Sequence, residues 1–155
     1  MGDRCAQGVP DRQRGRVTPP TRIVLYDGVC GFCNGSVRWL IERDREERLH
    51  YAPLQGETAA ALRERHPEIP TSLDAIVFVE ATPFAERVWL RSTAVFRALR
   101  ELPAPWRWLA PLRWLLPRAL WDVAYGAFAR RRYQWFGRLE ACPIPPPELR
   151  ARFLD

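Results

Sequence analysis

Residues 23–33 of the chain read IVLYDGVCGFC, and this stretch decides the fold. Its β-branched and aromatic start predicts a short buried strand, which an Asp-Gly pair ends with a turn. A helix is expected from about Cys33 to Arg43, because apolar residues recur at helical spacing along one face. Cys30 and Cys33 are therefore expected where a strand passes into a helix.

The rest of the chain continues the alternation of strands and helices. The elements expected after the first helix are a strand at residues 49–53, a helix at 57–65, a strand at 74–79, its hairpin partner at 86–91, a helix from residue 92, two helical stretches divided at Pro117, and an extended segment at 143–147. The strand–helix–strand start implies a parallel pair, and the hairpin adds an antiparallel edge. This order predicts a thioredoxin-like α/β fold, a small mixed β-sheet with flanking helices and extra C-terminal helices.

Composition limits the classes of protein to which the chain can belong. Its 155 residues are 47% hydrophobic, enough to bury a core, and the apolar runs are too short to span a membrane. Residues 1–21 are rich in Gly, Pro and Arg and predict a disordered basic tail, so that a single domain is expected over residues 22–155. No apolar secretory leader precedes residue 23, and the expected location is the reducing cytoplasm.

The two cysteines have the spacing of a redox-active pair. Cysteines three residues apart in the first turn of a helix have Cα atoms about 5 Å apart, which permits a disulfide. The helix N-terminus carries a partial positive charge, which favours thiolate over thiol. The first cysteine of such a pair is expected to be exposed and the second shielded. Cys30 is therefore predicted to attack a substrate disulfide, and Cys33 to resolve the mixed disulfide.

Asp27, next to the turn, has two interpretations. Its carboxylate could cap nearby backbone N–H groups in the turn. It could also take up and return the thiol proton during exchange, while its negative charge opposes thiolate formation.

A zinc site is the alternative use of the cysteine pair. Two further ligands would be needed, and the candidates are Cys5, Cys142, His50 and His66. None of them forms a second CxxC or an HxxxH pattern, so redox chemistry without a metal or organic cofactor is favoured. Cys142 is interpreted as a buried cysteine in preference to a third redox thiol.

Three segments of the chain resemble one family. YDGVCGFCNGSVRWLIERD, LRSTAVFRAL and WDVAYGAFARRRYQWFGRLEACPIP, in this order, are similar to the DCC family of thiol-disulfide oxidoreductases, with a match from about Ile23 to Phe153. The family is named for an Asp and two cysteines, which correspond here to Asp27, Cys30 and Cys33. The resemblance implies a thioredoxin-like fold and a redox role and leaves the substrate open. The expected partner is a protein or small-molecule thiol or disulfide.

Two further positions carry structural expectations. Thioredoxins place a cis-proline before the third strand; Pro70 is a candidate for it here, but a trans loop proline is favoured. Ser92 and Thr93 are expected to cap the helix that they open, with a contact to the redox site as the alternative.

The C-terminal region mixes tryptophan with arginine. Residues 105–138 hold seven Arg against Asp122 as the one acid, which gives this region a charge of +6. The tryptophans are interpreted as covering the sheet, with the arginines around them in solvent. Nucleic-acid binding is disfavoured because no binding module is recognised, and contact with an anionic membrane surface stays open. The alternative to an enzyme is a non-catalytic module that binds zinc, senses redox state or lies on a membrane.

Overall fold

The structure is a computed structural model that describes residues 21–72, 75–82 and 84–155. The predicted basic tail therefore lies outside the described residues, except for Thr21, which belongs to the first strand. Cys5 and Asp74 also lie outside them.

Strands and helices follow each other in nearly the predicted order and at nearly the predicted positions. They are β1 (Thr21–Tyr26), α1 (Gly31–Arg43), β2 (Leu49–Pro53), α2 (Glu57–Arg65), β3 (Val77–Ala81), β4 (Glu86–Leu90), α3 (Arg91–Glu101), a first 3-10 helix (Trp106–Trp114), α4 (Arg118–Phe136) and a second 3-10 helix (Pro147–Arg152). The largest shift is at β3, which begins at Val77 and not at residue 74.

The four strands form one mixed sheet in the order β2-β1-β3-β4. β1 runs parallel to β2, with Leu25 opposite Ala52, and antiparallel to β3, with Leu25 opposite Val77. β3 and β4 form the antiparallel hairpin at the edge. The predicted thioredoxin-like α/β fold is confirmed.

The core lies on both faces of the sheet, because alternate residues of a strand point to opposite sides. Val24 and Tyr26 belong to a cluster with buried residues of α1 and α3. Ile23 and Leu25 belong to a second cluster with buried residues of α2. β1 is thus buried on both faces, and the turn that follows it is held between α1 and the sheet.

The C-terminal end returns to the sheet. Arg152, which is buried, pairs with the buried carboxylate of Asp44, and the backbone N–H of Leu154 donates to Tyr51 at 3.0 Å. The Asp155 carboxylate accepts from the backbone N–H of Thr58 at 2.9 Å and so satisfies a free donor in the first turn of α2. These contacts fix the last residues along β2.

The expectation that Ser92 and Thr93 cap a helix is wrong, whereas the favoured trans bond before Pro70 is confirmed. α3 begins at Arg91 with Leu90 as its N-cap, because β4 runs directly into the helix, so Ser92 and Thr93 lie inside the first turn and do not cap it. The Ser92 hydroxyl instead donates to Asp122 of α4 at 2.6 Å. Among the described residues, the cis peptide bond is Ala104–Pro105, so the bond before Pro70 is trans.

The expectation that the tryptophans cover the sheet is wrong for three of them. Trp108, Trp114 and Trp135 are 69%, 77% and 59% exposed. Trp106 and Trp121 are partly buried, and they pack edge-on against Trp39 and Phe96 respectively. Among the described residues, no helix combines the length and the apolar content that a membrane crossing requires.

Candidate dithiol site

The turn after β1 places Cys30 at the N-cap of α1. The Cys30 Sγ accepts the backbone N–H of Cys33 at 3.4 Å, which is the N-cap contact that a serine or aspartate oxygen usually makes. The sulfur therefore lies at the positive end of the helix dipole. Cys30 and Cys33 are both free thiols.

The predicted exposure of the two cysteines is wrong. Cys30 is fully buried, whereas Cys33 is half-buried and lines a cavity. The reason is the chain after α4, residues 137–139, which we call the cover segment. The N–H of Leu139 donates to Val29 at 2.7 Å, and the N–H of Gly31 donates to Gly137 at 3.5 Å, so the cover segment pairs with the cysteine turn like a short antiparallel strand.

Close approach of the cover segment depends on two glycines. A Cβ on Gly31 would lie 2.5 Å from the backbone oxygen of Phe136, so no side chain fits there without movement of the main chain. Gly137 ends α4 with φ at 74°, a left-handed conformation that favours glycine. The cover segment reaches Cys30 because both positions lack a side chain.

Asp27 accepts four hydrogen bonds and is almost completely buried. Its Oδ1 accepts from the backbone N–H of Val29 at 3.1 Å and from the Gln55 side-chain amide at 2.9 Å. Its Oδ2 accepts from Arg132 at 2.8 Å and from the Tyr133 hydroxyl. The structure thus places Asp27 in the capping role, and the carboxylate also lines the cavity that Cys33 reaches.

The pKa values of Cys33, Tyr133 and Arg132 are shifted by burial and by neighbouring groups. Burial, together with the hydrogen bond to Cys30, raises the pKa of the Cys33 thiol, and the charge of Arg132 partly offsets this effect. Burial and the hydrogen bond to Asp27 raise the pKa of Tyr133 to about 12, so its hydroxyl keeps its proton at neutral pH. Burial lowers the pKa of Arg132, but the hydrogen bond to Tyr133 and the nearby thiols raise that pKa by a larger amount. The net result is a pKa above the ordinary value of arginine.

Sequence reasoning missed Gln55, Arg132 and Tyr133 as parts of the site. Arg132 and Tyr133 come from the last turns of α4, more than 100 residues from Asp27 in the chain. The signal that could have identified them was present, since both belong to the RYQWFG segment that carries part of the family resemblance. The resemblance assigns site residues only at Asp27, Cys30 and Cys33, so the sequence alone gives this segment no role at the site.

A cavity of about 670 Å³ lies among α1, α3 and α4. Its wall is mainly apolar, with Phe32 packed against Phe128 and Phe136 at centroid distances of 4.7 and 4.9 Å. Its polar lining includes Cys33, Asp27, Arg132 and Tyr125. A molecule in this cavity therefore meets Cys33 beside a buried ion pair.

Cys5 lies outside the described residues, and the other candidate ligands are His50, His66 and Cys142. His66 contacts Glu86 at 2.7 Å and Glu68 at 3.2 Å, and burial lowers the pKa of His50. Cys142 is half-buried in the C-terminal segment, so the structure does not place it in the core. Within the described ranges, no group of three or more His, Cys, Asp and Glu side chains converges as a metal site would require.

Comparison with known proteins identifies the family to which the chain is similar. The model of the family described as DCC1-like thiol-disulfide oxidoreductase matches residues 24–138. The uncharacterized protein YuxK of Bacillus subtilis (strain 168) is 36% identical over 135 residues, which cover 87% of this chain and 95% of the relative. A DCC family protein of Arabidopsis thaliana, named as chloroplastic, is 31% identical over 122 residues, 79% of this chain and 69% of the relative. No solved structure matches the chain significantly.

Proposed function

The chain belongs to the DCC1-like thiol-disulfide oxidoreductase family, and from this premise we propose that Cys30 and Cys33 exchange disulfides with a substrate. The observation that carries the proposal is the position of the Cys30 Sγ, which caps α1 and accepts the N–H of Cys33 at 3.4 Å. A sulfur at a helix N-terminus has the electrostatic environment that a reactive thiolate needs.

The proposed reaction has two displacement steps. The Cys30 thiolate attacks one sulfur of the substrate disulfide, which forms a mixed disulfide and releases the other substrate sulfur as a thiolate that takes up a proton. Cys33 then loses its proton and attacks the Cys30 sulfur. This step releases the second substrate thiol and leaves a Cys30–Cys33 disulfide, so that two electrons pass from the protein dithiol to the substrate disulfide.

Two observations support Cys30 as the attacking thiol. Its sulfur receives a backbone N–H, whereas burial and the contact with Cys30 raise the pKa of Cys33 and keep that thiol protonated. Since Cys30 is buried, the attack requires the cover segment to separate from the turn. The two backbone hydrogen bonds between residues 137–139 and the turn are the contacts that would open.

Asp27 is proposed to accept the Cys33 proton in the second step. Its carboxylate lines the same cavity as Cys33, and its charge contributes to the raised pKa of that thiol. A carboxylate beside a thiol can accept the proton that the thiol loses during exchange. Arg132, which pairs with Asp27, is a positioning residue that keeps the charge of the site balanced.

The proposed substrate is a protein or a small molecule that carries a disulfide, and the cavity beside Cys33 offers room for its apolar part. The proposed compartment is the cytoplasm, where reducing systems can return the Cys30–Cys33 disulfide to the dithiol. Cell fractionation with antibody detection tests this location.

Trapping of the mixed disulfide tests the mechanism. Cys33→Ser incubated with hydroxyethyl disulfide is expected to accumulate one adduct on Cys30, because the resolving thiol is absent. Cys142→Ser should turn over like the unmodified protein. An adduct on Cys33 in the Cys30→Ser variant, combined with unchanged turnover of that variant, would show that the proposed order of attack is wrong.

A further inference from the structure

We propose that residues 107–123 dock the protein on an anionic lipid bilayer. The surface consists of exposed apolar side chains on the first 3-10 helix, the turn that follows it and the start of α4. We call it the apolar ridge, and its most prominent members are Trp108, Leu112, Trp114, Leu115, Leu120 and Val123. This proposal is independent of the cysteine chemistry.

The large apolar side chains of the apolar ridge are mostly exposed to solvent. Trp114 is 77% exposed, Leu115 75%, Trp108 69% and Val123 68%. Isolated apolar side chains are common on protein surfaces, but a concentration of large ones, here within residues 108–123, indicates an interaction site. Trp106, at the start of the same 3-10 helix, is partly buried against Trp39, so this helix is anchored to the domain while its other tryptophans face outward.

The positive charge around the apolar ridge indicates an anionic partner. Arg107, Arg113 and Arg118 alternate with the apolar residues, and all three are exposed. The one acid between residues 105 and 138 is Asp122, which is already engaged by Ser92 at 2.6 Å and by Arg118 at 3.5 Å. Since Asp122 compensates Arg118, the net positive charge of the surface comes from Arg107 and Arg113, and an anionic partner complements it.

The combination of exposed apolar side chains and positive charge fits a lipid surface better than a second copy of the chain or a nucleic acid. Residues 107–123 carry three Arg against one Asp, a net charge of +2, so a second copy of the chain would bring two positive surfaces together, which repulsion disfavours. Nucleic-acid bases stack on aromatic rings, but Leu112, Leu115 and Val123 offer no such face. A bilayer accepts aliphatic side chains and tryptophan at the level of its headgroups, while lipid phosphates bind the arginines.

The geometry at Trp114 is consistent with such an interface. The Arg113 guanidinium lies 4.4 Å from the centroid of the Trp114 ring, so a cation is held over an aromatic side chain that is itself mostly exposed. In the proposed bound state the indole enters the headgroup region, and the guanidinium stays at the level of the phosphates.

Vesicle flotation tests the proposal with the full chain. The probes are vesicles of phosphatidylcholine alone and of phosphatidylcholine mixed with phosphatidylglycerol. The unmodified protein is expected to float with the mixed vesicles, to bind pure phosphatidylcholine weakly, and to dissociate as salt increases. The double variant Trp114→Asp, Leu115→Asp should bind the mixed vesicles at least about tenfold more weakly, since two large apolar side chains lose their contact.

The control is Phe84→Asp, which changes an apolar side chain of 98% exposure outside the apolar ridge and should bind like the unmodified protein. Circular dichroism checks that the double variant remains folded, and Arg113→Gln, Arg118→Gln is a second variant that should lose salt-sensitive binding. Absence of binding to mixed vesicles, or equal binding by all variants, would overturn the proposal. A dimer in light scattering that the double variant dissociates would also overturn it, because a second copy would then cover the ridge.

Discussion

The Nη2 of Arg132 lies 2.8 Å from Oδ2 of Asp27 and joins two residues that are 105 positions apart in the chain. Both side chains are buried, with exposures of 3% and 1%. The contact ties the last turns of α4 to the turn that presents the cysteines. The site is therefore assembled from both ends of the described chain, and the stability of the turn depends on a distant helix.

Loss of the Arg132 charge should destabilise the fold strongly. Arg132→Leu leaves Asp27 as a buried carboxylate without an opposite charge, a change that typically costs about 3–5 kcal/mol. The free energy of unfolding, measured by urea denaturation, should fall by an amount in this range. Arg131→Leu, at the exposed neighbouring position, is the control and should have little effect. Equal losses in the two variants would contradict the importance assigned to the buried pair.

Removal of the Asp27 charge should make Cys33 easier to ionise. That charge contributes to the raised pKa of Cys33, and Arg132 acts in the opposite direction. In a Cys30→Ser background, the midpoint of the pH profile of Cys33 alkylation should move to lower pH on Asp27→Asn substitution. Mass spectrometry follows the alkylation. A midpoint that stays in place or rises would contradict this arrangement of charges.

The two glycines of α1 offer a matched test of the cover segment. Gly31→Ala would place a Cβ 2.5 Å from the Phe136 oxygen and should force the cover segment away from the turn, so that Cys30 is alkylated faster. Gly35→Ala meets nothing within 4 Å and should leave alkylation unchanged while raising stability by about 0.4–1 kcal/mol. If Gly31→Ala left the alkylation rate of Cys30 unaltered, the cover segment would not control access to the sulfur.

Alkaline pH should weaken the site through Tyr133. Its pKa in the folded protein is raised to about 12, above the value near 10 of an unfolded chain. Because the folded state favours the neutral phenol, this contribution to stability is fully present below about pH 10 and is lost as pH rises through 12. Between about pH 10 and pH 12, the free energy of unfolding of Tyr133→Phe should decrease less than that of the unmodified protein. An unchanged pH dependence would argue against the hydrogen bond to Asp27.

Local patterns predicted most of the architecture. The strand at residues 49–53 and the helix at 57–65 agree with β2 and α2 to the residue, because strand and helix periodicity and Pro67 are all local signals. Asp27, Cys30 and Cys33 were identified from one short motif.

Contacts between distant parts of the chain account for what the sequence did not predict. Burial of Cys30 comes from the cover segment, and no pattern near the cysteines reports that residues 137–139 pair with their turn. The Asp27–Arg132 pair likewise depends on where α4 crosses the fold. The exposure of Trp108 and Trp114 contradicts the general tendency of tryptophan to be buried, so composition alone favoured the wrong placement.

The reduction potential of the Cys30–Cys33 pair tests the central claim most directly. The protein would be equilibrated in graded dithiol buffers, and free thiols would be trapped and counted by mass. The account predicts a two-electron transition between about −120 and −270 mV, the range of working oxidoreductases. Absence of a disulfide at every potential, or a transition below about −300 mV, would contradict a redox-active pair and would identify inert thiols or a structural bridge.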